Sequence, residues 1–127
     1  MVDLDYFKRI NDTHGHQNGN LALKGAARIW KSHIRKIDIP CRYGGEEFLI
    51  ILPSASLQDA YRRAVQIHES VEKISFELHG ATIDGVTISM GVSAFPNQGK
   101  TADELIAAAD AAMYRAKREG RNRVCLP

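Results

Sequence analysis

A mixed α/β fold, one sheet with helices packed on it, is predicted by three features of this 127-residue chain. Apolar residues recur at helical spacing in three separate stretches. Short β-prone runs stand between them, and two of these runs bracket a Gly-Gly pair in the form of a tight hairpin. At 44% apolar content a chain of this length buries a core of its own, so residues 1–127 are expected to form one domain.

The elements follow in chain order. Met1 to Leu4 read as the end of a strand entering a turn, which leads us to expect that an upstream part is missing. From Asn20 to Arg35 the residues Leu23, Ala26, Ala27, Trp30 and Ile34 keep a helical period, with Asn18 or Asn20 available to cap the first turn. Ile39–Tyr43 and Phe48–Leu52 are the two arms of the hairpin around Gly44-Gly45. Ser56 opens a second helix through Leu57, Ala60, Ala64, Ile67, Val71 and Ile74, with Asp59 completing an imperfect capping box. In Val86 to Ser93 apolar residues alternate with small or polar ones, so one face of that strand packs and the other meets something else. Thr101 and Glu104 form a capping box before Leu105, Ile106, Ala109, Ala112, Met113 and Ala116, and Gly120 supplies a left-handed stop. Val124 to Leu126 is a short last strand. The order is βαββαβ with an extra hairpin around Phe76 to Gly85.

Composition narrows the function. No apolar run is long enough to span a bilayer and no charged-then-apolar leader opens the chain, so a soluble protein is expected. Cys41 and Cys125 lie in strand-like runs rather than at metal-ligand spacing, which suits reduced thiols and a cytoplasmic setting. The formal charge of +2 is small for a nucleic-acid binder. Positive charge gathers at Arg115, Lys117, Arg118, Arg121 and Arg123, but no stacking aromatics are interleaved there, so no nucleic-acid partner is expected.

Candidate chemistry lies elsewhere. Asp3 and Asp5 share one face at the end of the first strand, a position suited to holding Mg²⁺ (or Mn²⁺) through a triphosphate. Gly44-Gly45 lets a ligand approach the backbone, and Glu46 and Glu47 follow at once. Lys8, Lys117 and Arg121 are the cations within reach of terminal phosphates. His14-Gly15-His16 has no third ligand at matching spacing, and both histidines read as loop residues.

Five blocks in order, Asp3-Leu4-Asp5-Tyr6-Phe7-Lys8-Arg9-Ile10-Asn11-Asp12, Gly15-His16, Gly44-Gly45-Glu46-Glu47-Phe48, Val86 to Gly91, and Ala109 to Lys117 with Gly120-Arg121-Asn122, closely resemble the catalytic domain of the GGDEF family, the bacterial diguanylate cyclases. The resemblance spans nearly the whole chain, with the family's usual N-terminal start absent. It implies a fold like nucleotidyl cyclases and polymerase palms, and condensation of two GTP into cyclic di-GMP with release of pyrophosphate. It also implies a homodimer facing its two nucleotides together, and an upstream sensory domain in a parent protein that is cytoplasmic or membrane-anchored.

Carried over by position, Asp3, Glu46 and the Leu4 carbonyl hold the metal, and Glu46 or Glu47 accepts the 3′-hydroxyl proton. Lys8, Lys117 and Arg121 meet the triphosphate, with Gly44 and Gly45 beside it. Asn11 and Asn20 read the guanine edge and Leu23 packs on the base. Arg35-Lys36-Ile37-Asp38 matches the family's RxxD site for product inhibition through Arg35 and Asp38. The sequence departs from the family twice. Position 20 is usually Asp, and an amide there suggests relaxed base selectivity, including mixed cyclic GMP-AMP. Gln66 stands where a further inhibitory-site arginine is common, which suggests weak feedback. A module that senses cyclic di-GMP or GTP without turnover is the alternative of a different class.

Overall fold

The structure, a computed structural model, describes residues 1–73, 75–78 and 81–127. Ile74, the expected last apolar residue of the second predicted helix, and His79 lie outside the described residues. The elements are β1 (Val2–Leu4), α1 (Phe7–His14), α2 (His16–His33), β2 (Ile39–Arg42), β3 (Glu47–Ile51), α3 (Leu57–Glu72), β4 (Phe76–Leu78), β5 (Ala81–Ile83), β6 (Ile88–Gly91), α4 (Ala102–Arg118) and β7 (Arg123–Cys125). The main sheet has the order β2-β3-β1-β6-β7, and β4 and β5 make the separate expected hairpin. β1 is central and antiparallel to both β3 and β6, while the α4 crossover leaves β6 and β7 parallel.

The period-two alternation of β1 divides its roles. Val2 and Leu4, both 1% exposed, point into the main core with Phe48, Ile88, Met90, and residues of α2 and α3 such as Leu23, Trp30, Ala64 and Ile67. Trp30 meets Phe48 edge-on with ring centroids 4.4 Å apart. Asp3 and Asp5 alternate to the opposite face, the one α4 covers. There Met1 packs with Ala109 and Met113. A Cβ added to Gly91 would lie 2.0 Å from the Ala109 carbonyl oxygen and 2.3 Å from the Met113 nitrogen, so only glycine lets α4 rest this close to the sheet. The small-residue face of β6 therefore meets a helix.

Ser56 and Thr101 cap α3 and α4 as expected, accepting from Asp59 N and Glu104 N. The first predicted helix needs correction. Helical structure begins at Phe7 and breaks at Gly15 (φ 84°, ψ 157°), and Asn20 lies inside α2. Asn18 donates to His14 O instead of capping. α1 escapes periodicity because Phe7 and Ile10 are its only large apolar residues, too few to reveal a period. His14 and His16 accordingly end one helix and begin the next rather than sit in a loop. At its other end α2 stops at His33, because Ile34 is extended (φ −108°, ψ 157°).

Candidate active site

Three elements converge on Asp3. β1 supplies Asp3 itself, 4% exposed. β3 places Glu47 as its direct cross-strand partner, and Glu46 sits in the bend just before, its carbonyl accepting from Leu4 N at 3.4 Å. α4 brings Lys117, whose Nζ lies 2.7 Å from Asp3 Oδ2. Burial pushes the Asp3 carboxyl up to about 6; Lys117 pulls against that, and the Glu46 and Glu47 charges add to it. Like charges facing each other across a ladder are unfavourable unless a cation joins them, and Lys117 meets only part of that demand. Among the described residues no three acidic, histidine or cysteine side chains are already gathered around a metal position. Asp3, Glu46 and Glu47 carry only oxygen donors, the chemistry a hard divalent cation takes.

Asp5, grouped with Asp3 by sequence, does different work. Its carboxylate accepts from Thr87 Oγ1 (2.8 Å), Ser89 Oγ (2.7 Å) and Asn122 N (3.0 Å), so it is saturated and structural.

The diglycine turn is braced by Arg42, whose Nε and Nη2 donate to the Gly45 carbonyl at 3.1 and 2.6 Å and whose Nε also reaches Gly44 O. Tyr43 N and Gly44 N both donate to Glu47 O. Gly45 has open space where a side chain would project, which suits close approach of a ligand. Arg42 escaped the sequence reading because nothing in its spacing distinguishes it from any strand arginine.

The remaining predicted residues fall into four groups. Lys8 is exposed on α1. Arg121 lies just past α4 with its guanidinium 4.7 Å from the centre of the Tyr6 ring, a cation–π contact. Asn11 lies on α1, and Asn20 and Leu23 lie on α2, which packs against it. Asn11 Oδ1 is buried between α1 and α2 and accepts no hydrogen bond from any described group. It lies where a Cβ at position 19 would stand, 1.8 Å from that point, so Gly19 makes room for it. Asn20 is exposed, whereas Leu23 belongs to the main core at 4% exposure and offers little surface to a base.

Arg35 and Asp38 form a site of their own, on the far side of β3 from the convergence at Asp3. Asp38 accepts from Arg35 Nη2 (2.8 Å), Nε (3.1 Å) and backbone N (2.7 Å), and Arg35 Nη2 also reaches Pro53 O at 2.8 Å. The Arg35 guanidinium holds the Asp38 carboxyl below the ordinary carboxylate range. The pair borders an open cavity of about 340 Å³ shared with Arg62, Arg63 and Gln66.

A five-stranded sheet whose central strand and adjoining hairpin turn together present acids, with cations arriving from the last helix, defines a nucleotidyl-cyclase-like domain. The chain belongs to the GGDEF family: the model described as "Diguanylate cyclase, GGDEF domain" matches residues 1–123. Response regulator PleD of Caulobacter vibrioides is 46% identical over 125 residues, 98% of this chain and 28% of that protein. Diguanylate cyclase A of Treponema denticola is 44% identical over 126 residues, 99% of this chain and 34% of that protein. The chain thus spans about a third or less of these relatives. Among solved structures, the GGDEF domain of DgcB from Caulobacter crescentus in complex with c-di-GMP superposes with a TM-score of 0.90 at 30% identity, covering 98% of this chain and 74% of that one.

Proposed function

We propose that this domain is a diguanylate cyclase that condenses two GTP into cyclic di-GMP and pyrophosphate as a homodimer. The convergence of Asp3, Glu46, Glu47 and Lys117 on one point carries the reading, because a triphosphate with its cation requires acids and a base side by side. Asp3, Glu46 and the Leu4 carbonyl would hold Mg²⁺ or Mn²⁺. Bound there, the cation neutralises charge on the triphosphate and favours in-line displacement.

The chain's own groups do the rest. Glu46 or Glu47 accepts the proton of a 3′-hydroxyl as its oxygen bonds to the α-phosphorus of the facing GTP and the bond to the bridging oxygen breaks, releasing pyrophosphate. Repeating the step with roles exchanged closes the ring. Lys8, Lys117 and Arg121 bind the triphosphate, and Gly44 and Gly45 admit it. Asn11 and Asn20 take the guanine edge, which offers N1–H and N2–H donors, as the family resemblance implies. Leu23 supports that end of the pocket from the core.

A second site regulates the first: the cavity beside Arg35 and Asp38 suits binding of product guanine, since a guanidinium fits the O6 and N7 acceptors. Among the described residues no helix is long and apolar enough to cross a membrane. The reading places the domain in the cytoplasm with the GTP pool, behind a sensory domain of the parent protein.

The experiment is pyrophosphate release from GTP by wild type and Glu46→Ala. Release by wild type that disappears in the variant supports the cyclase. Tight GTP or cyclic di-GMP binding without release by either protein would instead identify a sensor.

A further inference from the structure

The turn after α4 adopts a conformation that glycine and asparagine take readily and arginine does not. Gly120 (φ 113°), Arg121 (φ 63°) and Asn122 (φ 47°) are three consecutive left-handed residues, and arginine has no local preference for that region. The Arg121 N–H donates to the Ala116 carbonyl at 2.9 Å, which closes the helix end on one side of the turn; the other side is held from outside.

Asn122 is where the fixing occurs. Its backbone N–H donates to Asp5 Oδ2 at 3.0 Å, its Nδ2 donates to Glu72 Oε1 at 2.9 Å, and its Oδ1 accepts from His68 Nε2 at 2.8 Å. The orientation of the amide follows from its partners. A carboxylate such as Glu72 only accepts, so Nδ2 must face it, and Oδ1 is left for the histidine N–H. Asp5 is itself immobilised by Thr87 and Ser89 of the β6 region. The residue thus ties the turn to β1, β6 and α3 at once, and its immediate neighbour is Arg121, stacked on Tyr6.

We propose that Asn122 is a positioning residue for nucleotide binding: clamped between Asp5, His68 and Glu72, it fixes the left-handed turn that presents Arg121 to the triphosphate. This rests on the triphosphate reading of the site given above. The clamp also accounts for the saturated carboxylate of Asp5, which is committed to the turn and so unavailable as a metal ligand.

The test measures Mg²⁺-dependent binding of mant-GTP to the full chain, with melting temperature recorded for every variant. Asn122→Ala should bind roughly tenfold more weakly than wild type, the effect of losing about one hydrogen-bonded anchor. In an Arg121→Ala background the same change should have no further effect, because the residue acts only through that arginine. Should Asn122→Ala not fold, the paired His68→Ala and Glu72→Ala changes on α3 give the same reading, and His68→Gln, which keeps an N–H donor, should restore most of the affinity. Equal binding by a folded Asn122→Ala, or equal weakening with and without Arg121, overturns the proposal. A wild-type chain that takes up no mant-GTP overturns the triphosphate reading and this one with it.

Discussion

Lys117 Nζ stands 2.7 Å from Asp3 Oδ2, so a cation assigned to the triphosphate and an acid assigned to the metal neutralise each other directly. A nucleotide arriving with its metal has to separate them, giving the lysine a phosphate and the aspartate a divalent ion. Lys117→Met should therefore weaken GTP binding by roughly tenfold while strengthening binding of Mn²⁺ alone, since the competing ammonium is gone. Isothermal titration with GTP and with Mn²⁺ separates the two effects; parallel loss of both would contradict the exchange.

The acid limb of activity should report Asp3. Its folded carboxyl titrates at about 6, above the ordinary range, chiefly because it is buried. The folded state thus binds the proton more tightly than the unfolded one, so this group's contribution to stability is present below the unfolded carboxylate range and is lost as pH rises through about 6. Ligand binding runs the other way, because only the ionised acid takes a metal, and affinity for Mg²⁺-GTP should fall as pH drops through about 6. Denaturant midpoints at acid and neutral pH for wild type and Asp3→Asn check the first half; the variant should lose this pH dependence.

Feedback should be tunable at Gln66. Arg35→Ala should raise the cyclic di-GMP concentration that halves the rate, and Gln66→Arg, which adds a guanidinium to the same cavity, should lower it several-fold. Inhibition curves for the three proteins decide the matter; unchanged curves would remove the cavity from regulation.

Base choice should respond to position 20. Asn20→Asp supplies two acceptors for the N1–H and N2–H of guanine where the amide supplies one, so it should favour GTP over ATP by roughly tenfold more than wild type does. Products formed from a GTP and ATP mixture provide the measurement. Cyclic di-GMP as the sole wild-type product would exclude relaxed selectivity.

Gly91→Ala should destabilise the fold, by about 1 to 3 kcal/mol or more, because its methyl would collide with the α4 backbone near Ala109 and Met113. A lowered melting temperature is the readout, and loss of nucleotide binding should accompany it, since α4 carries Lys117.

The outline of this fold was legible where local signals are strong. The capping boxes at Ser56 and Thr101, the diglycine hairpin and the alternation around β6 each depend on neighbours within a few positions. α1 was hidden because Phe7 and Ile10 form a single apolar pair among polar residues, and the break at Gly15 lacks a capping side chain. The site was legible as a set of residue types, and its wiring was not. Asp3 and Asp5 look equivalent in sequence, yet one is crowded by acids and paired to Lys117 while the other is saturated by Thr87, Ser89 and Asn122. That distinction depends on partners more than forty positions away in the chain, beyond any local pattern.

The same long-range closure has a consequence for biosynthesis. Because Asp3 of β1 pairs with Lys117 of α4, and Asp5 just after β1 accepts from Asn122 just after α4, the two halves of the site come from distant parts of the chain and must close on each other before any nucleotide can be clamped. Under the cyclase reading, a nascent domain that has not yet released Lys117 and Asn122 into the fold cannot hold nucleotide, and turnover waits for both.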